Sequence, residues 1–344
     1  MYKLRGESYN GLYQFCYHLG LHMAKAQPPD LDLVMYMPKE RFGIFGNDVE
    51  YAMQRSRDKY YRFNTKQFDI WHVATTISWY RPFNSHTKNI LTVHDLNFLE
   101  QEEFSAASRK RYLRLTQKRV NRADYLTFIS HFAYEQAKRY MNIENKPYEI
   151  IYNGTNITAS NGAIEPAYIS TRPYLFSIGQ LHSRKNFHVL PALLVDNDYE
   201  LVIAGMKNFS YVEKIVEEAK RHGVEDRVKL VGPVSDEEKN WYYQHCHAFV
   251  FPSKAEGFGL PVLEAMHFGK PVFISLATSL PEIGGTAAYY FNDFSPEAMR
   301  SVFEKGMNEF VSNPVKAVEI KAQAAKFSWE KAVQEYFAVY RKLL

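Results

Sequence analysis

Two hydrophobic patterns alternate along this chain. Short apolar runs bounded by Gly, Pro or polar turns have the character of strands buried on both faces. Segments with an apolar residue every three or four positions follow most of them, as helices covering a sheet would. In the first half the strand-like runs are Leu31–Met37, Asp69–Val73, Lys88–Val93, Tyr125–Ile129 and Tyr148–Tyr152. In the second half they are Tyr174–Ile178, Tyr199–Ala204, Val228–Gly232, Ala248–Phe251, Lys270–Ser275 and Ala287–Phe291. Helical spacing runs from Gly11 through Phe15, Leu19 and Met23, from Ser105 to Arg122, from Ser130 to Tyr140, and over 209–222. It returns over 236–245, after Pro261, over 296–326, and from Trp329 to Leu344, where Trp329, Val333, Phe337 and Tyr340 share one face. Ser235 with Glu238 three residues later predicts a capping box. Such alternation predicts an α/β protein with two parallel sheets.

Residues 155–171 are polar and rich in Asn, Ser, Gly and Pro, a linker composition. The expected organisation is therefore a first domain over 1–165, a second over 166–328, and a closing helix over 329–344. Residues 38–67 are polar and aromatic with weak periodicity and predict no element. At the start only MYKL precedes the first loop and helix. The first strand of the first sheet is expected to be short or missing, with the natural start of the chain lying upstream.

The densest chemistry lies in AFVFPSKAEGFGLPVLEAMHFGKP, residues 248–271. Pro252 and Ser253 end an apolar strand, Gly257 and Gly259 free the backbone to approach something closely, and Pro261 suits the first helical turn. A helix N-terminus presents free N–H groups and partial positive charge to an anion. Glu256 on the loop and Glu264 on the helix flank this turn, with seven residues between them. A second anion-binding pattern follows Tyr174–Ile178: Gly179-Gln-Leu-His-Ser-Arg184-Lys185-Asn186, a basic pair before a helix. Arg offers a two-pronged grip on an oxyanion, Lys a compact point charge. His94 and Asp95 stand at the C-terminal end of a strand, where open α/β sheets gather their ligands. His72 is read as structural, Asp95 as a turn acid.

The E-x7-E stretch resembles the signature of the retaining glycosyltransferase family 4, the group 1 glycosyltransferases, whose fold is GT-B. The resemblance extends over TVHDL, ADYLTFIS, YEIIYNGTNI and the Leu280-Pro-Glu-Ile-Gly-Gly285 loop, covering nearly the whole chain from Gly11. It implies two Rossmann-like parallel-sheet domains facing a cleft, with the C-terminal helix crossing back to the first. It also implies roles: Glu264 on the donor ribose, Glu256 and His94 at the transferred sugar, and Arg184 with Lys185 on the leaving diphosphate. The backbones of Gly11, Gly179, Phe258, Gly259 and Leu260 would approach the donor, and Gly232 and Pro233 would line the base pocket. Family members often carry Arg directly after the first Gly of the second domain. Gln180 stands there in this chain, so Arg184 is expected to supply that charge. The loop from Ser279 to Gly285 is expected to buttress the Glu256 loop.

The reaction implied is retaining transfer of a sugar, mannose or a related hexose, from a nucleotide-diphosphate sugar to an acceptor hydroxyl. The setting is bacterial surface polysaccharide or lipid-linked oligosaccharide synthesis. No divalent metal and no cofactor beyond the nucleotide-sugar co-substrate are expected. Rival readings are a nucleotide-sugar-binding protein without transfer activity and a GT-B sugar-nucleotide epimerase, the latter distinguished by needing no acceptor. A nicotinamide oxidoreductase is disfavoured because no G-x-G-x-x-G follows a strand with an acid downstream.

Composition narrows the partners. Residues 1–165 hold 22 Lys and Arg against 17 Asp and Glu, whereas the remainder is nearly balanced, so the first half is the one expected to meet an anion. Much of that excess lies between Ser105 and Arg122, where Arg109, Lys110, Arg111, Arg114, Lys118, Arg119 and Arg122 occur with no acid among them. This is either a solvated helix face or a landing site for a membrane surface or lipid-linked acceptor, with Arg109, Lys110, Arg114 and Lys118 its candidates. Nucleic acid is not indicated, for no module motif accompanies the charge. No apolar run approaches the roughly 20 residues that span a bilayer, and Cys16 and Cys246 match no metal or redox spacing. The expected location is cytoplasmic, with peripheral contact at the inner membrane surface.

Overall fold

The computed structural model describes residues 11–59, 65–82, 86–99, 104–155, 157, 164–206 and 208–344. The expectation about the first strand falls on residues 1–10, outside the described residues. Contacts divide the chain into two units. One holds the described residues up to Gly154 together with Phe327–Leu344, the other Thr155–Lys326.

In the first unit, helix α1 (Gly11–Lys25) precedes β1 (Val34–Met37), which pairs in parallel with β2 (Glu50–Met53) as a separate two-stranded sheet. β3 (Ile70–Val73), β4 (Lys88–Val93), β5 (Tyr125–Phe128) and β6 (Tyr148–Ile150) form a four-stranded parallel sheet in chain order. Helix α2 (Ala106–Arg122) connects β4 to β5, and α3 (His131–Tyr140) connects β5 to β6. Both start where a serine accepts a hydrogen bond from the third backbone N–H, Ser105 from Ser108 and Ser130 from Ala133, as good N-caps do. β4 and β5 are almost wholly buried, the signature of parallel strands covered on both faces. β2 lies in the stretch from which the sequence predicts nothing: it is a half-exposed edge strand with no alternation to betray it.

The second unit carries a six-stranded parallel sheet in the order β12-β11-β10-β7-β8-β9, which winds outward in both directions from β7 and β10. Its strands are β7 (Tyr174–Ile178), β8 (Glu200–Ala204), β9 (Val228–Gly232), β10 (Ala248–Phe251), β11 (Val272–Ser275) and β12 (Tyr289–Phe291). The helices are α4 (Phe209–Arg221), α5 (Asp236–His245), α6 (Leu260–His267), α7 (Leu280–Gly284), α8 (Pro296–Ser312) and α9 (Lys316–Ala324). The capping box is formed in full: Ser235 accepts from Glu238 N–H while the Glu238 carboxylate accepts from Ser235 N–H. Two local readings are corrected. The segment Phe187–Leu194 after the basic pair is a 3-10 helix with Pro191 inside it, since proline removes a helical N–H and crowds the preceding turn. The 280–284 stretch is a short helix rather than a bare loop.

The final helix, α10 (Trp329–Leu343), belongs to the first unit. Trp329, Val333, Phe337 and Tyr340 are all buried, and Trp329 packs against Phe15 and His18 of α1. A chain of short hydrogen bonds joins it to the sheet: Tyr340 OH to His72 Nδ1 at 2.7 Å, His72 Nε2 to Thr92 Oγ1 at 2.7 Å, and Thr92 to Thr127 at 2.8 Å. His72 is therefore structural. Arg341 grips Asp30 with two nitrogens at 2.7 and 2.9 Å, and Lys342 reaches Glu149 at 2.8 Å. Both cysteines are buried thiols outside any disulfide among the described residues.

Candidate active site

At the carboxyl edge of the second sheet the chain turns sharply away from its three adjacent strands β7, β8 and β9. Gly179 follows β7 at φ +152° and Gly205 follows β8 at φ +135°, and a Cβ on Gly205 would lie 1.9 Å from the Gly179 carbonyl oxygen. Only glycine permits so close an approach, and it leaves bare backbone facing outward. Gly232 ends β9 and accepts from Gly205 N–H at 2.7 Å, with exposed Pro233 beside it.

Lys185 sits in the turn after Gly179, and its stem lies against the glycine: a Cβ there would meet Lys185 Cε at 3.2 Å. Its ammonium contacts Glu256 Oε1 at 2.6 Å, and both side chains are nearly buried, 11% and 12% exposed. Burial alone would push the Glu256 carboxyl up. The charges of Lys185 and Arg184, with hydrogen bonds from Lys185 and Ser253, outweigh it and hold the carboxyl below the usual glutamate range. Burial lowers the Lys185 ammonium despite the opposing pull of Glu256. Ser253 Oγ donates to the same Glu256 oxygen at 2.5 Å. Arg184 is anchored by its backbone, whose carbonyl accepts from Lys254 N–H at 2.9 Å, and its buried Nε has no hydrogen-bond partner among the described residues. A buried guanidinium donor left without an acceptor is costly, and a ligand oxyanion would complete it.

The Glu256 loop is held from behind by the segment that follows β11. Thr278 Oγ1 accepts from Glu256 N–H at 2.9 Å, and Ser279 Oγ lies 3.0 Å from the Glu256 carbonyl and 2.8 Å from the Phe258 carbonyl. The Ser275 hydroxyl donates to the Ser253 carbonyl. Phe258 is buried, Gly259 takes φ +114°, and a Cβ on it would meet Leu280 at 2.8 Å. Gly259 is the N-cap of α6, which no side chain caps; Leu260 and Pro261 open the helix. That helix end offers backbone N–H groups and the positive end of its dipole.

Glu264, one turn into α6, is 4% exposed. Lys239 of α5 lies 3.2 Å from its Oε1 and Tyr243 OH donates to its Oε2 at 3.0 Å. A carboxylate accepts about four hydrogen bonds, so each oxygen keeps capacity for a hydroxyl. Burial, followed by the Glu264 charge, pushes the Tyr243 phenol well above its ordinary value, which keeps it a donor.

His94, Gly11 and the basic helix belong to the first unit. His94 follows β4, is 8% exposed, and packs edge-on to Phe15 at 4.5 Å. Its Nε2 lies 2.9 Å from the Ala74 carbonyl, so Nε2 carries the proton and Nδ1 is an acceptor. Burial lowers its pKa, and the ring is neutral at neutral pH. Asp95 makes an Asx turn to Asn97 N–H at 2.9 Å. Gly11 begins α1 with nothing within 4 Å of an added Cβ, so space does not demand glycine there. Lys110, Arg114 and Lys118 are exposed on α2, and Arg109 is half-buried. Sequence reasoning set the loop from Ser279 behind Glu256 but missed the hydroxyls of Ser253, Ser275 and Thr278 and the Glu264 partners Lys239 and Tyr243. Apart from Ser253, three residues from Glu256, the contacts span 21 to 25 residues, and polar side chains of this kind carry no periodic signal.

Two parallel-sheet units of this kind, together with the comparisons that follow, define the class: a GT-B glycosyltransferase. Residues 26–159 match the model "Glycosyltransferase Family 4" and residues 165–327 the model "Glycosyl transferases group 1". The chain belongs to this family, the group 1 glycosyltransferases of family 4. It is 26% identical over 280 residues to O-antigen chain mannosyltransferase B of Escherichia coli, covering 74% of this chain and 70% of the relative. It is 28% identical over 279 residues to the serotype-specific mannosyltransferase WbdA of Escherichia coli, but spans only 34% of that relative's length. Among solved structures, Anabaena Alr3699/HepE, crystallised with UDP and glucose, superposes with a TM-score of 0.72 at 16% identity, over 98% of this chain and 97% of the other. That last likeness speaks for the fold alone.

Proposed function

We propose that the chain transfers a hexose, with mannose favoured, from a nucleotide-diphosphate donor to an acceptor hydroxyl during synthesis of a surface polysaccharide or lipid-linked oligosaccharide. The mannosyltransferase relatives support the sugar and the setting. The observation that carries the reading is the buried Lys185–Glu256 pair beside the unpartnered Arg184 Nε, above a glycine-lined sheet edge. In this reading the second unit binds the donor and the first unit the acceptor. Glu264, steadied by Lys239 and Tyr243, accepts from the ribose hydroxyls. The α6 N-terminus, Arg184 and Lys185 receive the diphosphate, and Gly232 and Pro233 border the base.

The bond from C1 of the sugar to the phosphate oxygen breaks as positive charge spreads over the ring and negative charge gathers on the diphosphate. Preorganised cations and N–H groups at that oxygen lower the barrier, each worth about 3–4 kcal/mol when removed. The acceptor oxygen bonds to C1 on the face the diphosphate leaves, and its proton passes to the departing phosphate oxygen, so configuration is retained. Glu256 is engaged by Lys185 and Ser253, which suits a group that orients the sugar and balances Lys185 better than a free nucleophile. His94 Nδ1, in the first unit, has the acceptor capacity that a sugar hydroxyl requires. The reaction needs no further cofactor and no divalent metal, because side-chain cations meet the phosphate charge. The test is incubation with UDP-, GDP- and dTDP-hexoses and a mannoside acceptor, followed by NMR of the product's anomeric proton. A retained configuration supports the mechanism, and donor turnover without any acceptor would favour the epimerase alternative.

A further inference from the structure

A cavity of about 260 Å³ lies in the first unit between α2 and the segment 78–81. Lys118, Arg119 and Arg122 of α2 line it with Trp79 and Asn89, and no Asp or Glu is among its lining residues. Neither Lys118 nor Arg122 has an ion-pair partner among the described residues. The Arg119 guanidinium is half-buried, donates to the Thr76 carbonyl, and lies 5.5 Å from the centre of the Trp79 ring. Asn89 is 8% exposed, and its Oδ1 has no hydrogen-bond partner among the described residues. The cavity thus gathers cationic donors and one unsatisfied acceptor, the complement of a phosphate ester carrying a hydroxyl. Its volume falls just below the usual range of about 300–1,000 Å³ for whole small-molecule ligands, which suits a headgroup rather than a complete metabolite.

Two features of the rim select the source of that phosphate. Trp79, which lines the cavity, is 49% exposed, an indole turned to solvent beside cationic side chains, and its neighbour in sequence Ile77 is 37% exposed. Indoles with one wet and one apolar side favour the interfacial layer of a bilayer. Lys110, Arg114, Lys118 and Arg122 stand at four-residue spacing, all exposed, and so form one row along α2. That row is about 18 Å long at 1.5 Å per residue. Like charges at this spacing repel, and an anionic surface laid along the row relieves the repulsion.

We propose that this cavity seats the phosphoryl headgroup of an anionic membrane lipid, with the α2 cationic row lying along the lipid surface and Trp79 entering the interfacial layer. The inference goes beyond sugar transfer and does not depend on it.

The experiment is sedimentation with phosphatidylcholine vesicles, with and without phosphatidylglycerol. The protein is expected to bind the anionic vesicles alone, and less so as salt rises. Lys118→Gln with Arg122→Gln should weaken binding about thirtyfold, from roughly fivefold per cation near such a surface. A charge-matched Lys220→Gln with Lys305→Gln control should bind nearly as wild type. All four side chains are exposed, so each variant should keep the wild-type melting temperature and nucleotide response. Brominated lipid should quench wild-type fluorescence more than that of Trp79→Phe. Equal vesicle binding by the two double variants would overturn the proposal, as would equal quenching with and without Trp79. Loss of glycerol 3-phosphate binding with vesicle binding unchanged would overturn the lipid source in favour of a soluble phosphate ester.

Discussion

Lys185→Met isolates the interaction at the centre of the donor site. The substitution keeps the length of the side chain and removes the ammonium that contacts Glu256 at 2.6 Å. Because both groups are nearly buried, the lost partner leaves an under-compensated carboxylate, a loss of about 3–5 kcal/mol when a buried pair is broken from one side. For a folding unit of this size each kcal/mol moves the melting temperature by roughly 2–4 °C, so the single variant should melt about 6–20 °C lower. Glu256→Gln in the same chain removes the stranded charge. Since replacing both members of a buried pair is often near neutral, the double variant should regain most of that stability. Turnover should not follow. The phosphate charge would still lack its cation, and kcat should stay down by about a hundred- to a thousandfold. Differential scanning calorimetry and a coupled nucleotide-release assay give the two readouts independently. A Lys185→Met protein that melts like wild type and turns over within tenfold of it would refute the reasoning, as would a double variant in which activity recovers with stability.

Other outcomes follow from the surrounding contacts. Tyr243→Phe removes the donor to Glu264 Oε2 and should weaken nucleotide binding about tenfold, read by calorimetric titration, while binding of the free sugar is unchanged. Ser279→Ala strands the Glu256 and Phe258 carbonyls and should cost about 1–3 kcal/mol, seen in denaturant melts. Acid titration of stability should fall in two stages. Burial pushes His72 down to about 3, so between 6.5 and that value the unfolded chain binds a proton the native protein refuses, at about 1.4 kcal/mol per pH unit. Glu256 is held below its ordinary 4.5, so its contribution is present above that value and is lost only as pH falls further. Replacing His72 with Gln should make the first stage shallower in a melting-temperature profile, with the remainder coming from His94 and His188, which burial also holds down, and leave the second.

The sequence discloses most clearly what is buried and local. Ala248–Phe251 and the turn to Pro261 read as a strand and a helix start because every side chain in that strand is interior and the glycines and proline have few alternatives. Lys185 and Glu256 are 71 residues apart, and the family resemblance brings both to the donor without pairing them. The hydroxyl clamp behind Glu256 was invisible in detail: Ser275, Thr278 and Ser279 act through single hydrogen bonds, which impose no hydrophobic period. β2 escaped because an edge strand with no fully buried residue needs no alternation. The break between α8 and α9 at 313–315 was hidden inside one long helical pattern, although Pro314 there removes a backbone donor. Glu264 reads as a ribose acceptor, but nothing in its own neighbourhood of sequence shows that Lys239 and Tyr243 already hold both its oxygens.

The most direct measurement is a thermal-shift comparison of UDP, GDP, ADP, dTDP and CDP, each with and without Mg²⁺, on the wild type, Arg184→Ala and Glu264→Ala. One nucleotide at a hundred times its dissociation constant should stabilise the wild type by about 2.7 kcal/mol, equally with and without Mg²⁺. The same nucleotide should shift neither variant at that concentration. A response to no nucleotide, or one that survives both substitutions, would contradict the donor site described for Arg184, Lys185, Glu256 and Glu264.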